Sequence, residues 1–126
     1  MKLNHLNLTV PDVSQTRQFF EKYFGLRCLA EPGGEALVVL VDESGFVLTL
    51  NNFSHATEVK YPGAFHIGFR QENRERVDEI HQRLKADGFD VKTPKEFHGA
   101  WTFYFHAPGG FLVEVFHQHF NPAPAR

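Results

Sequence analysis

The chain repeats one pattern of strands and helix, and this repeat constrains the fold more than any other feature. The segments LNHLNLTV, DVSQTRQFFEKYFG and LRCL in the first half correspond to AFHIGFR, NRERVDEIHQRLKADG and FDV in the second. Each half continues with two strand-like segments, LVVLV and FVLTL in the first and WTFYF and FLVEV in the second. Alternating apolar residues mark the strands, and helical spacing marks the longer segments. The pattern therefore predicts βαβββ twice.

Boundary signals support both predicted helices. Asp12 and Gln15 have the spacing of a capping box, and the helices end at Gly25 and Gly88. The predicted fold class is α+β, with two βαβββ modules that form a curved mixed sheet around a cleft. We place module one at about residues 1–55 and module two at about 60–120 of a single domain, 1–126, because a chain of this length suffices for one core.

Overlaying the two halves relates four polar residues on four predicted strands. His5 corresponds to His66, and Thr49 corresponds to Glu114. Alternation puts each of them on the strand face opposite the apolar residues, which we expect the helices to cover. Two histidines and one glutamate would then point into the cleft. Because an unpaired carboxylate among apolar neighbours is costly, we interpret the partner of Glu114 as a cation bound where the three side chains converge.

Composition argues against several other classes. The net charge is −2 and the charges are interspersed, so nucleic acid is not an expected partner. No apolar run approaches the roughly 18 residues that span a bilayer, and the N-terminal segment lacks the apolar stretch of a signal peptide. We therefore expect a cytoplasmic protein without a membrane partner. Of the eight histidines, we expect His55, His81, His117 and His119 at surface or edge positions.

Three stretches, LNHLNLTVPDVSQTRQFFEKYFGL, FHIGF and FYFHAPGGFLVEV, resemble the vicinal oxygen chelate superfamily. This superfamily includes glyoxalase I, extradiol ring-cleaving dioxygenases, fosfomycin-resistance thiol transferases and bleomycin-resistance proteins. The resemblance covers essentially the whole chain and implies paired modules, usually completed by a homodimer. It also implies a divalent metal at His5, His66 and Glu114 that chelates two neighbouring oxygens of a small-molecule substrate.

Differences between this chain and individual branches of the superfamily favour some activities over others. Glyoxalase I has a second glutamate where this chain has Thr49, which cannot accept a proton near neutral pH. We expect Thr49 to contact the substrate instead, with Phe116 as part of the cleft wall. The thiol transferases carry basic residues after the metal glutamate, whereas the tail FHQHFNPAPAR offers only Arg126.

The stretch YFHAPGGFLVE looks like the extradiol dioxygenase signature, with Tyr104 ten residues before Glu114. That signature has a catalytic histidine upstream, which makes His98 the candidate, although it lies one residue closer to Tyr104 than the family spacing. A ligand set of two histidines and one carboxylate favours Fe²⁺ or Mn²⁺, with Zn²⁺ and Ni²⁺ as alternatives.

The predicted activity is dioxygenase-like ring or C–C cleavage, with Tyr104 and His98 as catalytic residues. A glyoxalase-like lyase or isomerase, or a thiol transferase, is the first alternative. The second is a non-catalytic protein that binds or confers resistance to a small molecule.

Overall fold

The computed structural model describes residues 1–32 and 36–119, so the tail with Arg126 lies outside the described residues. The described elements follow the predicted order of βαβββ twice. They are β1 (His5–Thr9), α1 (Val13–Phe24), β2 (Arg27–Ala30), β3 (Leu37–Val41), β4 (Val47–Asn51), β5 (His66–Arg70), α2 (Arg74–Ala86), β6 (Lys95–Phe97), β7 (Ala100–His106) and β8 (Leu112–Gln118). Among these residues, no helix is both long and apolar enough to cross a membrane.

The chain forms two compact units, each with one helix and one four-stranded sheet. Among the described residues, unit one contains those within 1–63 and 107–111, and unit two contains 64–106 and 112–119. The strand orders are β1-β4-β3-β2 and β5-β8-β7-β6. In each sheet the first and last strands of the module pair in parallel and the other pairs are antiparallel. The predicted α+β class with two mixed βαβββ modules is confirmed, while the assignment of both modules to a single domain remains a prediction.

Unit one is built around α1 and the aromatic residues that it buries. The Asp12 carboxylate accepts a hydrogen bond from the Gln15 backbone N–H over 2.9 Å, which caps the first turn as predicted. Gly25 ends the helix with φ 66°, a left-handed conformation that glycine adopts without strain. Phe20 stacks on Phe111, with ring centroids 6.0 Å apart, so the segment 107–111 contributes to this core.

Unit two buries a histidine of α2, His81, that the sequence analysis placed at the surface. The expectation that His81 lies at the surface is wrong, because the residue is only 5% exposed and its ring packs edge-on against Phe103 at 5.2 Å. His81 follows Val77 by one helical turn, so the stripe that faces the sheet includes it. Among the described residues, its Nε2 is a buried side-chain atom without a hydrogen-bond partner.

The second strand of module two is also displaced from its predicted place at FDV. The structure forms β6 at Lys95–Phe97 instead, and Phe89 packs edge-on against Phe105 with centroids 6.1 Å apart. Phe97 pairs with Ala100 across a two-residue turn. Because so short a turn fixes the register of a hairpin, only the residues directly before it can pair with β7.

Candidate metal and substrate site

In unit two, β5 and β8 bring two of the predicted ligands to neighbouring places. Gly68 lies directly opposite Glu114, and His66 is two residues before Gly68 on β5. The Nε2 atom of His66 lies 3.7 Å from Oε1 of Glu114. This distance is longer than a hydrogen bond, so the two atoms face each other without bonding directly.

A backbone contact fixes the orientation of the His66 ring. Its Nδ1 lies 3.0 Å from the carbonyl oxygen of Ala64, which accepts only if Nδ1 carries the proton. In the neutral ring this leaves the lone pair on Nε2, the atom that faces Glu114. Many metal-binding histidines are oriented in this way, with one ring nitrogen on a carbonyl and the other free to bind a cation.

A donor from β7 holds the Glu114 carboxylate, whose side chain is 16% exposed. The hydroxyl of Thr102 donates to Oε2 over 2.8 Å. Tyr104 lies directly opposite Glu114 in the strand register, close enough for its phenol to interact with the same carboxylate. Its ring also contacts that of His66 edge-on, with centroids 5.5 Å apart. The structure therefore brings together three predicted site residues, His66, Tyr104 and Glu114, with Thr102 as a fourth member.

The phenol of Tyr104 is held in its neutral form. Burial, with additional contributions from the hydrogen bond and the negative charge of Glu114, raises the pKa of Tyr104 to about 12. Tyr104 is therefore a hydrogen-bond donor rather than a base near neutral pH.

The donor atoms of unit two suit a divalent cation. An imidazole nitrogen and a carboxylate oxygen that bind one metal at about 2.1 Å each lie about 3.0 Å apart at a right angle and about 3.4 Å apart at a tetrahedral angle, and the observed separation of 3.7 Å is slightly wider. Across residues 1–32 and 36–119, no group of three or more His, Cys, Asp or Glu side chains forms a complete metal cluster. Unit two thus provides two of the predicted metal ligands, His66 and Glu114. The full set of three ligands stays a prediction.

His5 occupies the place on β1 that His66 occupies on β5. It lies opposite Val47, two residues before Thr49, just as His66 lies opposite the residue two before Glu114. The overlay of the two halves therefore agrees with the strand registers. His5 is exposed, and its Nδ1 lies 3.3 Å from the side-chain oxygen of Asn4.

Thr49 belongs to a neutral hydrogen-bond network in unit one. Its hydroxyl donates to Oδ1 of Asn7 over 2.7 Å, and the Asn51 amide donates to the same oxygen over 2.9 Å. Asn7 corresponds to Gly68 of unit two, where a Cβ would lie 3.0 Å from the Phe116 ring and 3.7 Å from Oε1 of Glu114. The glycine therefore leaves room for Phe116 and Glu114, whereas Asn7 fills that room in unit one.

His98 lies in the turn between β6 and β7, outside the cluster around Glu114. Its backbone has φ 50°, and its ring packs on Phe97 with centroids 3.9 Å apart. No described hydrogen bond or ring contact joins it to Glu114 or Tyr104, so its catalytic role stays a prediction. Strand alternation places Thr102 on the same face of β7 as Tyr104, although the sequence alone assigns it no role. Its contact with Glu114 is diagonal across the strands and could be found only once the register was known.

Comparisons with known proteins agree with this fold. Residues 2–115 match the sequence model of the Glyoxalase/Bleomycin resistance protein/Dioxygenase superfamily. A solved structure described as a possible glyoxalase from Bacillus cereus is 55% identical, has a TM-score of 0.82, and is matched over 91% of this chain and 97% of that one. A fosfomycin resistance protein from Listeria monocytogenes shares the fold at 22% identity, with a TM-score of 0.77 over 95% of each chain.

A further relative is an uncharacterised protein from Pseudomonas aeruginosa, 28% identical over 99 residues, which are 75% of this chain and 71% of that one. The family match extends over both βαβββ modules up to Val115 on β8. The protein belongs to the Glyoxalase/Bleomycin resistance protein/Dioxygenase superfamily.

Proposed function

We propose that this protein is a metal-dependent enzyme that binds two neighbouring oxygens of a small molecule at His5, His66 and Glu114. The observation that carries the proposal is the arrangement of His66 and Glu114, whose facing atoms are 3.7 Å apart without a hydrogen bond. Each of these side chains is held by another partner, Ala64 for the imidazole and Thr102 for the carboxylate. His5 is proposed as the third ligand because it occupies the equivalent strand position in module one.

The ligand set determines what a bound cation could contribute. A divalent cation there would chelate the two substrate oxygens and stabilise the negative charge that develops on them. Two imidazoles and one carboxylate favour Fe²⁺ or Mn²⁺, with Zn²⁺ and Ni²⁺ as alternatives. The hydrogen bond from His66 to Ala64 would keep the ring in the tautomer that a metal requires.

The neutral phenol of Tyr104 favours dioxygenase-like ring or C–C cleavage over proton abstraction by the protein. A tyrosine phenol is protonated near neutral pH, so Tyr104 can donate a hydrogen bond or a proton to a substrate oxygen but does not remove a proton. The Thr49 hydroxyl, where a second glutamate would be needed for proton transfer, donates to Asn7 instead. Both features support a cleavage reaction in which Tyr104 donates a hydrogen bond or a proton to the substrate.

A glyoxalase-like lyase or isomerase is the second candidate. It is favoured by the 55% identity to the structure described as a possible glyoxalase from Bacillus cereus. The same three ligands would serve that reaction, but a base other than Thr49 or Tyr104 would be required. The identity of the bound metal distinguishes the two candidates, since redox-active iron suits oxygen chemistry and Zn²⁺ or Ni²⁺ suits proton transfer.

The test is elemental analysis of untagged protein purified without oxygen. We expect about one equivalent of iron or manganese per chain, lost in His5→Ala, His66→Ala and Glu114→Ala because each removes a proposed ligand. His55→Asn is the matched control, since His55 has φ 56° and asparagine tolerates that left-handed backbone. Metal that stays bound in all three ligand variants would contradict the proposed site.

Activity with catechol-type substrates completes the test. Tyr104→Phe should retain the metal but lower kcat by about 100-fold, the usual cost of removing one transition-state donor. If Tyr104→Phe turns over substrate as fast as the wild type, Tyr104 has no role in catalysis. Zinc or nickel in the purified protein would favour the lyase or isomerase, and a folded wild type that binds no metal would favour the non-catalytic binding protein.

A further inference from the structure

Thr102 is a buried residue of β7 that contacts the carboxylate of Glu114. It is only 1% exposed, and its Oγ1 donates to Oε2 of Glu114 over 2.8 Å. In the register of β7 and β8, Tyr104 lies opposite Glu114 and Thr102 lies opposite Phe116. Thr102 and Glu114 are therefore diagonal neighbours on one face of the sheet, where side chains are within reach of each other.

The hydrogen bond from Thr102 gives the two oxygens of the carboxylate different roles. Oε2 is occupied by the hydroxyl, while Oε1 lies 3.7 Å from Nε2 of His66. Turning the carboxylate so that both oxygens face one cation would move Oε2 away from the Thr102 hydroxyl and weaken this hydrogen bond, which is unfavourable for a buried donor. The local structure thus favours binding through Oε1 alone.

We infer that Thr102 is a positioning residue that holds Glu114 as a one-oxygen metal ligand. The inference rests on the proposed function, since it concerns the same site. A carboxylate that binds through one oxygen takes one coordination position, whereas a carboxylate that binds through two oxygens takes two. With two histidines, a carboxylate bound through one oxygen would leave three octahedral positions open instead of two, so Thr102 would keep a position free for dioxygen beside the two substrate oxygens.

The test compares two substitutions of Thr102 in otherwise intact protein. Thr102→Val keeps the branched shape but removes the donor, and Thr102→Ser keeps the donor. Binding of Co²⁺ to the metal-free protein is measured by calorimetry and by visible absorption, which reports the coordination of the ion. We expect Thr102→Val to bind Co²⁺ about 10- to 100-fold more weakly with an altered spectrum, and Thr102→Ser to stay within about threefold of wild type with an unchanged spectrum.

Equal affinity and an identical spectrum in Thr102→Val would overturn the inference. If thermal unfolding shows that Thr102→Val does not fold, Thr102→Ala compared with Thr102→Ser gives the same test. Glu114→Ala separates this inference from the proposed function. Binding that is lost in Glu114→Ala but unchanged in Thr102→Val contradicts the role of Thr102 alone, whereas a wild type that does not bind Co²⁺ contradicts both.

Discussion

Two titratable residues in unit two have opposite hydrogen-bonding environments. Glu114 accepts a hydrogen bond from Thr102, whereas Nε2 of His81 has no hydrogen-bond partner among the described residues. Burial and the nearby charge of Lys85 lower the pKa of His81 below its usual value. A buried imidazole without a partner on one nitrogen stays neutral, so its protonation opposes folding.

The first prediction follows from the direction of this pKa shift. The unfolded chain binds a proton at His81 near the ordinary pKa of 6.5, while the folded protein resists protonation to lower pH. The free energy of unfolding should therefore fall as pH decreases from about 6.5 to the lower folded pKa. His81→Leu, which keeps an apolar contact with Phe103, should show a smaller decrease over the same range.

Urea denaturation of both proteins between neutral and mildly acidic pH would measure this difference. The hydrogen bond to the Val91 carbonyl and the charge of Asp78 act in the opposite direction, favouring the protonated ring. Identical pH dependence in the wild type and His81→Leu would show that these contributions cancel the effect of burial.

At the scale of elements, the hairpin of β6 and β7 shows how a turn determines strand position. His98 and Gly99 form the two-residue turn, with φ angles of 50° and 76°. Turns of this length favour asparagine followed by glycine, because both residues have positive φ. A histidine in the first position holds a backbone conformation that costs free energy in most residues.

The second prediction is that His98→Asn stabilises the hairpin. The free energy of unfolding should rise by about 0.5 kcal/mol, since asparagine adopts the left-handed backbone more easily. His106→Asn is the control, because His106 is exposed in extended strand, where no such gain is expected. Chemical denaturation measures the stability of both variants. A large loss of turnover in His98→Asn would instead support the catalytic role that the sequence suggested.

The sequence predicted most elements because local signals define them. The caps of α1 and the alternation in β1 and β8 are visible in single segments. The position of β6 could not be predicted in this way, since it depends on pairing with β7 and not on the apolar residues of FDV. The role of Thr102 was missed for the same reason, as it depends on the register between two strands.

At the scale of the whole molecule, the internal repeat predicted both modules and the equivalence of His5 with His66. The repeat does not predict how the chain associates with other copies of itself. The resemblance to the superfamily implies a homodimer, and two edge strands expose apolar side chains: Leu29 of β2 is 54% exposed and Phe97 of β6 is 42% exposed. Exposed apolar residues on strand edges are typical of surfaces that associate.

The third prediction is therefore that the protein is a homodimer in solution. Sedimentation equilibrium should give twice the chain mass of 14.5 kDa at micromolar concentration. Comparison of metal-free and metal-loaded protein would show whether association depends on the ion. A single species with the mass of one chain at all concentrations would contradict the prediction.

The contrast between Asn7 and Gly68 limits how this duplicated fold can acquire new chemistry. In unit one, Asn7 accepts hydrogen bonds from Thr49 and Asn51, while Gly68 leaves the equivalent place to Phe116 and Glu114. Thr49→Glu alone would set a carboxylate against the side-chain oxygen of Asn7, and Asn7→Gly alone would remove the acceptor of two donors. An evolving or designed chain would thus need both replacements to gain a second carboxylate, and either order passes through a less stable intermediate.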